Sequence, residues 1–249
     1  MSELEGLYAL WLREFKIFWR EKPRLIGSLV TPILWLFLFG GGLGANVAIE
    51  EVNYQLFIFP GILAMMAIFN SIFFGVYIVW DRKIDFLKEV LVAPLSRATI
   101  FLGKVLGGCT DIFVQGSIIL IIGFFIGVKI SPLVFLLSML FIILLAVGLV
   151  SIGLIIGSRL ESLEGFQLIV SFLIFPLFFL SGALFPLNNL PAWLYSLTFL
   201  NPVTYGVDAL RQITIGIGHF SIFLDFGVLL LFSGIMFLIG TYAFKTMKP

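Results

Sequence analysis

The sequence is poor in charged side chains. Of its 249 residues, 12% are Asp, Glu, Lys or Arg, whereas 61% are hydrophobic and the mean hydropathy is +1.16. A soluble domain has about 25% charged residues, so this composition excludes one and indicates a polytopic membrane protein. A helix needs about 20 apolar residues to cross a bilayer. Six such stretches fill the chain and leave no length for a soluble catalytic domain.

Cysteine and histidine are nearly absent. Cys109 is the single cysteine and His219 the single histidine, so the sequence has no disulfide framework and no pair at metal-ligand spacing. We expect neither a metal site nor redox chemistry. The formal net charge of +1 comes from basic residues dispersed at the ends of apolar stretches, which does not suit nucleic-acid binding.

A phosphate-binding loop is also missing. Such a loop needs the pattern G-x-x-x-x-G-K-[ST], whose backbone amides and lysine hold the phosphates. The one Gly-Lys pair, Gly103-Lys104, precedes Val105 and has no glycine at the upstream position. We therefore expect that this chain is not an ATPase and binds no cofactor. No nucleophile, base and orienting group occur together, which disfavours a membrane-embedded enzyme.

Apolar runs and helix breakers divide the chain, residues 1–249, as one all-α membrane domain. Residues 1–24 form a charged amphipathic segment with tryptophans on its apolar arc, which predicts a helix lying in the membrane interface. No removable signal peptide is expected there. The six spans are predicted over residues 25–44, 56–79, 101–127, 132–157, 166–185 and 220–244, and Ser131 and Pro132 open the fourth.

Glycines recur four residues apart in two of these spans. Gly103 and Gly107 lie in the third span, and Gly153 and Gly157 in the fourth. Small residues at this spacing let helices approach closely in lipid, so close helix packing is expected at both places. Pro176 is predicted to kink the fifth span.

A charged island over residues 80–100 separates the second and third spans. Its apolar side chains recur at helical spacing and its charged residues lie off that stripe, which predicts a short amphipathic helix. Pro94 ends this helix because proline moves Ala93 out of the helical region, and Ser96 can cap the next helix. The plain alternative is a solvated loop that rests on lipid headgroups.

Residues 186–218 are too apolar for a simple loop and too interrupted by proline to span. Two short helices are expected here, the first beginning near Pro191. The second has Asn201 as N-cap and Pro202 at its first position, which is a favoured helix start.

The distribution of basic residues predicts the orientation. If the N-terminus, the charged island, the loop after Ser158 and the C-terminus share one side, that side holds 13 of the 15 Lys and Arg residues. Lys129 and Arg211 remain on the other. By the positive-inside rule both termini and the island are cytoplasmic, and residues 186–218 are extracytoplasmic.

Asp111 is a carboxylate within a predicted span. Placing an acidic side chain at the centre of a membrane helix costs roughly 2.5 to 3.5 kcal/mol, so it must face protein or water. Gln115 follows one turn later, and the two side chains either line a polar pathway or proton relay, or make an interhelical hydrogen bond.

Three stretches resemble the ABC-2 type permeases, in particular the daunorubicin-resistance group. They are FLKEVLVAPLSR with LGK, from Phe86 to Lys104, SGALFPLNNLPAWL, from Ser181, and NPVTYGVDALRQ, from Asn201. The resemblance implies that residues 80–100 hold a coupling helix that docks into a separate ATPase subunit. The residues implied in coupling are Phe86, Leu87, Glu89, Val90, Leu91, Pro94 and Arg97. That family usually has glycine where this chain has Ile84 or Asp85, so the turn into the helix is expected to differ.

The resemblance also implies an extracytoplasmic re-entrant hairpin over residues 186–218 that closes the outer end of a substrate path. The implied gate residues are Pro202, Tyr205, Asp208 and Arg211. The structural alternative is that Asp208 and Arg211, three residues apart on one helix face, neutralise each other.

Together these observations predict a permease subunit of an ATP-driven exporter in the cell membrane, acting as a homodimer or with a similar subunit. The expected cargo is a hydrophobic or amphipathic drug or lipid, and ATP and Mg belong to the partner ATPase subunits. Two alternatives stay open: export of a lipid-linked polysaccharide, and a proton-coupled secondary transporter using Asp111. Against the carrier, the sequence has no evident internal hydropathy repeat.

Overall fold

The computed structural model describes residues 2–44, 48–49, 52–187 and 190–247. In these residues the chain is almost wholly helical, which confirms the all-α class. The helices are α1 (Glu3–Arg20), α2 (Lys22–Gly44), α3 (Tyr54–Phe73), α4 (Val76–Lys83), α5 (Phe86–Val92), α6 (Arg97–Ile126), α7 (Pro132–Arg159), α8 (Leu163–Phe179), α9 (Ala192–Thr198), α10 (Pro202–Ile215) and α11 (Ile222–Lys245). The sequence did not predict the short antiparallel pair of β1 (Ala48–Ile49) and β2 (Val52–Asn53) that precedes α3.

Five helical stretches of the described chain are long and apolar enough to cross a membrane. They are Lys22–Gly42, Tyr54–Lys83, Arg97–Ile126, Pro132–Arg159 and Ile222–Lys245. The predicted fifth span corresponds to α8, which has 17 residues and ends six residues before the predicted boundary. It ends there because the chain turns at Gly182, whose φ of 72° is left-handed, and Arg211 Nη2 binds the Gly182 carbonyl at 2.8 Å.

The predicted second span is interrupted. Helix α3 stops at Phe73, and α4 resumes at Val76 and continues to Lys83, beyond the predicted end at residue 79. The break lies where α3 and α4 touch the backbone of α7. A Cβ added to Gly75 would lie 1.9 Å from the Gly153 carbonyl oxygen, and one added to Gly157 would lie 2.3 Å from that of Gly75. The close packing predicted for the glycines of the fourth span is therefore confirmed.

The predicted helix starts are also confirmed. The side chains of Ser96, Ser131 and Asn201 each accept a backbone N–H from the first turn of the following helix, at 3.0 to 3.2 Å. Pro132 and Pro202 take the first helical positions of α7 and α10. Ala93 has extended backbone after α5, as expected before Pro94.

Helix α1 packs along the first half of α6. Gly103 and Gly107 provide the surface for it, since added Cβ atoms would lie 2.9 Å from Leu10 Cβ and 2.6 Å from Glu14 Cβ. At its start, Glu3 Oε1 accepts the Ser96 N–H at 2.9 Å. A hydrogen bond from the Thr99 hydroxyl, and after it the one from the Ser96 N–H, lowers the pKa of Glu3. The third span thus binds the N-terminal amphipathic helix through its predicted small-residue face.

Helix α3 lies at the centre of the packing. In the most apolar 18-residue segment of Tyr54–Lys83, 72% of the residues are buried inside the protein. The corresponding segments of α2 and α11 are each 17% buried. Large apolar side chains on α2, α8 and α11 face outward, for example Leu38, Phe172 and Phe223. The outer helices therefore offer an apolar surface to lipid or to another membrane helix.

Candidate functional site

Helix α5 lies between α4 and α6, where a coupling helix was predicted. Its apolar stripe points into the chain: Leu87 is 2% exposed, and Val90 and Leu91 are each 8% exposed. A side chain this buried offers almost no surface to another subunit. The opposite face of α5 is exposed and carries Lys88 and Glu89, with Val92 at the tip, 82% exposed.

The turn from α4 into α5 is left-handed. Asp85 has φ 58° and ψ 1°, a conformation that glycine adopts without strain and that Asp and Asn tolerate best among other residues. Its carboxylate pairs with Lys88 Nζ at 2.7 Å. The turn therefore keeps the left-handed geometry that suits glycine, although this chain has none there.

The rest of the predicted coupling set surrounds α5. The guanidinium of Arg13 on α1 lies 3.8 Å from the ring centroid of Phe86. Pro94 is exposed, and Arg97 is half-buried at the start of α6. The Nη1 atom of Arg97 is buried and has no hydrogen-bond partner within the described residues.

Four charged side chains from α1, α4 and α6 form a charged cluster next to α5: Arg13, Glu14, Asp81 and Lys104. Lys104 Nζ lies 2.6 Å from Glu14 Oε1 and 2.5 Å from Asp81 Oδ2. Arg13 binds the second oxygen of Asp81 at 2.6 Å and Glu14 at 2.8 Å. Lys104, Glu14 and Asp81 are between 1% and 3% exposed, so each charge depends on the others for its partner.

A second polar cluster lies next to it, between α2, α4 and α6. Arg24 Nη2 binds Asp111 Oδ2 at 2.9 Å, and the Arg24 guanidinium also reaches Tyr77 and Glu21. The Tyr77 hydroxyl donates to Glu21 at 2.7 Å. Asp111 therefore has an interhelical partner, which sequence reasoning gave as one of its two roles. Its other oxygen and Gln115 Oε1 are buried without a hydrogen-bond partner among the described residues.

Two open cavities follow this cluster along α2 and α3. One has a volume of about 520 Å³ and is lined at its polar end by Arg13, Glu21 and Asp81, with Tyr77 and Trp80 beside them. The other, of about 400 Å³, is mainly apolar, and its lining includes Met65, Met66, Phe69, Thr31 and Pro32. Arg24, Asn70 and Phe73 line both. The groove therefore changes from charged and aromatic to apolar along its length.

The predicted gate residues lie on α10, which begins at Pro202. The carboxylate of Asp208 accepts the backbone N–H groups of His219 at 2.8 Å and Phe220 at 2.9 Å, so it fixes the loop into α11. The Arg211 guanidinium lies 4.1 Å from the ring centroid of Phe57 on α3, in addition to its bond to the Gly182 carbonyl.

Tyr205 lies on the same helix and also contacts the residues that lead into α11. Its hydroxyl donates to the Phe199 carbonyl at 2.9 Å, and its ring stacks on Phe220 with centroids 5.2 Å apart. Burial, with a smaller contribution from the charge of Asp225, raises the pKa of Tyr205. Tyr205, Asp208 and Arg211 thus join α10 to α3, to the turn after α8 and to the start of α11, whereas Pro202 begins the helix.

Comparison with known proteins decides the family. A family model described as ABC-2 type transporter matches residues 5–215 of the chain. The chain belongs to the ABC-2 type transporter family.

Individual relatives agree with this assignment. YadH of Escherichia coli K12, named an inner membrane transport permease, is 30% identical to this ABC-2 chain over 243 residues, covering 94% of the chain and 92% of YadH. Nodulation protein J of Rhizobium leguminosarum is 26% identical over 181 residues, covering 71% of the chain and 69% of that protein. A candidate transport permease, ycf38 of Cyanophora paradoxa, is 31% identical over 186 residues. That match covers 73% of the chain but 64% of ycf38, slightly less than two thirds of its length.

Family membership and the long apolar helices make the chain a multi-pass membrane transport permease. ABC-2 permeases are not catalytic themselves, since ATP is hydrolysed on a separate ABC ATPase subunit. The expectation that this chain is not an enzyme is confirmed.

Sequence reasoning missed the residues that bind α4 to its neighbours. The sequence pattern predicts that Glu14 lies on the polar face of an interface helix and that Asp81 and Arg82 belong to the charged island. A signal was available in Lys104, seven residues inside an apolar helix, because a buried ammonium needs a carboxylate partner. The identity of the partners came only from the fold.

Proposed function

We propose that this permease is the membrane subunit of an ATP-driven exporter that moves a hydrophobic or amphipathic drug or lipid out of the cytoplasm. It acts in pairs, as two copies or with a similar chain, and two ATPase subunits bind on the side of α5. ATP and Mg bind to those subunits, and this chain binds no cofactor. The observation that carries the proposal is α5, a seven-residue helix between two membrane helices, with one face anchored in the chain and one face free.

The docking surface in this proposal is the exposed face of α5. It consists of Lys88, Glu89 and Val92, with Ile84 of the preceding turn, 63% exposed. Leu87, Val90 and Leu91 then anchor α5 to the permease, so that a force on the exposed face moves the helix as a rigid piece. This divides the predicted coupling residues between docking and anchoring.

Two substitutions test this division. Val92→Asp should remove the ATPase from purified complexes and leave the yield and melting temperature of the permease unchanged, because it alters exposed surface alone. Leu87→Asp should instead destabilise the permease by at least about 2 kcal/mol, since it buries a charge without a partner. Co-purification of the ATPase with Val92→Asp at the unsubstituted level would place the docking surface elsewhere.

The proposed topology has six spans and both termini in the cytoplasm, over a single domain of residues 1–249. Helix α8 supplies the remaining span. Its 17 residues extend about 25 Å, a few ångströms less than the hydrocarbon core. Local thinning of the bilayer accommodates such a difference at modest cost. The turn after α8 is held by α10, as irregular backbone at membrane depth requires.

The groove between α2 and α3 supports a small amphipathic cargo. Its two cavities, about 520 Å³ and about 400 Å³, have the size of sites that take drug-sized ligands. One end offers charged and aromatic groups and the other mostly apolar ones, including two adaptable methionines. A long glycan would find few hydrogen-bonding groups in the apolar part. The proposal therefore favours a drug or lipid over a lipid-linked polysaccharide.

ATP turnover of the purified complex distinguishes these cargoes. We expect turnover to rise with amphipathic dyes or phospholipids and to stay unchanged with a lipid-linked polysaccharide. Thr31→Trp, which fills the apolar cavity, should abolish the response, whereas Phe223→Trp on the exposed side of α11 should not. Stimulation by the polysaccharide alone would reverse the assignment. Transport that continues without ATP and stops when the proton gradient is removed would favour the proton-coupled carrier.

A further inference from the structure

The last turn of α4 binds three other helices through two adjacent residues. Asp81 accepts Arg13 on one carboxylate oxygen at 2.6 Å and Lys104 on the other at 2.5 Å, which joins α4 to α1 and α6. Arg82 donates from Nη2 to the Ser158 carbonyl at 2.9 Å and from Nη1 to the Leu160 carbonyl. These carbonyls lie at the C-terminal end of α7, where the helix dipole favours a cation.

These contacts lie next to the coupling helix. Helix α5 begins four residues after Arg82, and the intervening turn is tightened by a hydrogen bond from the Asp85 N–H to the Arg82 carbonyl at 3.2 Å. On its other side, α4 is separated from α3 by the break before Val76. Helix α4 is therefore a short segment whose end nearest to α5 is joined to α1, α6 and α7 by the side chains of Asp81 and Arg82.

The stability of the folded protein does not by itself explain why Asp81 and Arg82 make these ion pairs and hydrogen bonds. Buried ion pairs are often no more stabilising than apolar side chains of the same volume, because the charges must leave water. They do impose fixed geometry, since short charge-assisted hydrogen bonds hold only one relative position of the groups they join. Apolar packing at the same place would allow α4 to slide along α6 and α7.

We propose that Asp81 and Arg82 are positioning residues that carry movement of α5 to the membrane helices during the ATP cycle. Asp81 moves α1 and α6, and Arg82 moves α7. The inference rests on the proposed function, because it requires an ATPase subunit that displaces α5.

A cysteine reporter measures this transmission. Leu187, 7% exposed, lines a small outer cavity beside Asp208 and His219, far along the chain from α4. In a Cys109→Ala background, Leu187→Cys is labelled with a membrane-impermeant maleimide in the complex with its ATPase, with and without ATP and vanadate. We expect the labelling rate to change at least about five-fold on trapping, as for a typical allosteric coupling.

Asp81→Asn and Arg82→Gln should reduce this change to less than about two-fold while the ATPase still co-purifies and hydrolyses ATP. Asp81→Glu keeps the charge and should keep the response. Glu161→Gln and Lys245→Gln are matched controls on exposed residues that take part in none of the side-chain hydrogen bonds or ion pairs of the described chain, and both should respond like the parent.

The outcomes separate the two proposals. If no ATPase co-purifies with the parent, or trapping leaves its labelling unchanged, the proposed function fails and this inference falls with it. If the parent responds and Asp81→Asn and Arg82→Gln respond equally, the proposed function stands and the inference is wrong. Loss of assembly in Asp81→Asn, Asp81→Glu and Arg82→Gln alike would show a purely structural role and would also overturn it.

Discussion

At the scale of single residues, the burial of charge is the main constraint on this permease. Lys104 is 1% exposed and has two carboxylates within 2.6 Å, while Asp111, farther along the same helix, pairs with Arg24 of α2. An isolated charge at such positions would cost several kcal/mol, so each is paired by a residue from another helix. The charged side chains therefore determine which helices are neighbours on the α5 side.

Lys104→Met should destabilise the permease strongly. The substitution leaves the carboxylates of Glu14 and Asp81 buried with Arg13 as their remaining cation, and breaking a buried pair in this way costs about 3 to 5 kcal/mol. The measurement is the thermal melting of the purified permease, with Lys16→Met on the exposed face of α1 as control. Equal melting temperatures for both variants would contradict the buried cluster.

Gly75→Ala should prevent correct packing of α3 and α4 on α7. The added Cβ would lie 1.9 Å from a backbone oxygen of Gly153, which cannot move aside as a flexible side chain would. Gly234→Ala on α11 is the control, since an added Cβ there meets nothing within 4 Å. We expect loss of monodisperse protein in size-exclusion chromatography for the first variant alone, and normal elution of Gly75→Ala would refute the close contact.

At the scale of elements, the three short helices α4, α5 and α10 connect the long helices to one another. Helix α5 is anchored by its apolar stripe, α4 by Asp81 and Arg82, and α10 by Asp208 and Arg211. None of the three is long enough to span a bilayer by itself. Their positions depend on contacts with the long helices, so they are the segments whose displacement would reorient those helices.

Asp208→Ala should loosen the connection between α10 and α11. The carboxylate binds the N–H groups of His219 and Phe220, and a hydrogen bond to a charged group is worth about 1.5 to 3 kcal/mol. Hydrogen exchange of these two amides should become faster, while ATPase co-purification stays unchanged. Glu161→Ala, which removes an exposed carboxylate, serves as control, and unchanged exchange in Asp208→Ala would show that other contacts hold the loop.

At the scale of the whole molecule, the protein is asymmetric across the proposed membrane. The α5 side carries the charged cluster and the polar end of the groove, and the proposed topology assigns 13 of the 15 basic residues to that side. The other side carries Tyr205, Asp208 and Arg211, which hold α10 against its neighbours. This asymmetry is consistent with the proposal that ATPase subunits drive the permease from the α5 side.

The orientation predicts a labelling pattern in intact cells. After Cys109→Ala, single cysteines replace Ser96, at the start of α6, and Trp193, which is 69% exposed on α9. An impermeant thiol reagent should label position 193 and leave position 96 unlabelled until the cells are opened. The reverse pattern would place the termini and α5 outside and would overturn the proposed topology. Asn188, which the sequence predicts to be extracytoplasmic, lies outside the described residues.

The sequence was sufficient for the features that depend on local chemistry. Hydropathy indicated a helical membrane protein, Ser96, Ser131 and Asn201 marked helix starts, and Pro94 marked the end of α5. The spacing of Gly153 and Gly157 indicated close packing. These predictions succeeded because capping, proline geometry and small-residue packing act within a few residues of the chain.

The tertiary structure alone decided which faces are covered and which charges are paired. The stripe of Leu87, Val90 and Leu91 reads equally well as a docking surface or as an anchor, because amphipathicity shows that one face is buried but not by what. The partners of Lys104 are 23 and 90 residues away along the chain. The end of α8 and the break before α4 were likewise set by Arg211 and Gly153, on other helices, where no local pattern in the sequence reports the contact.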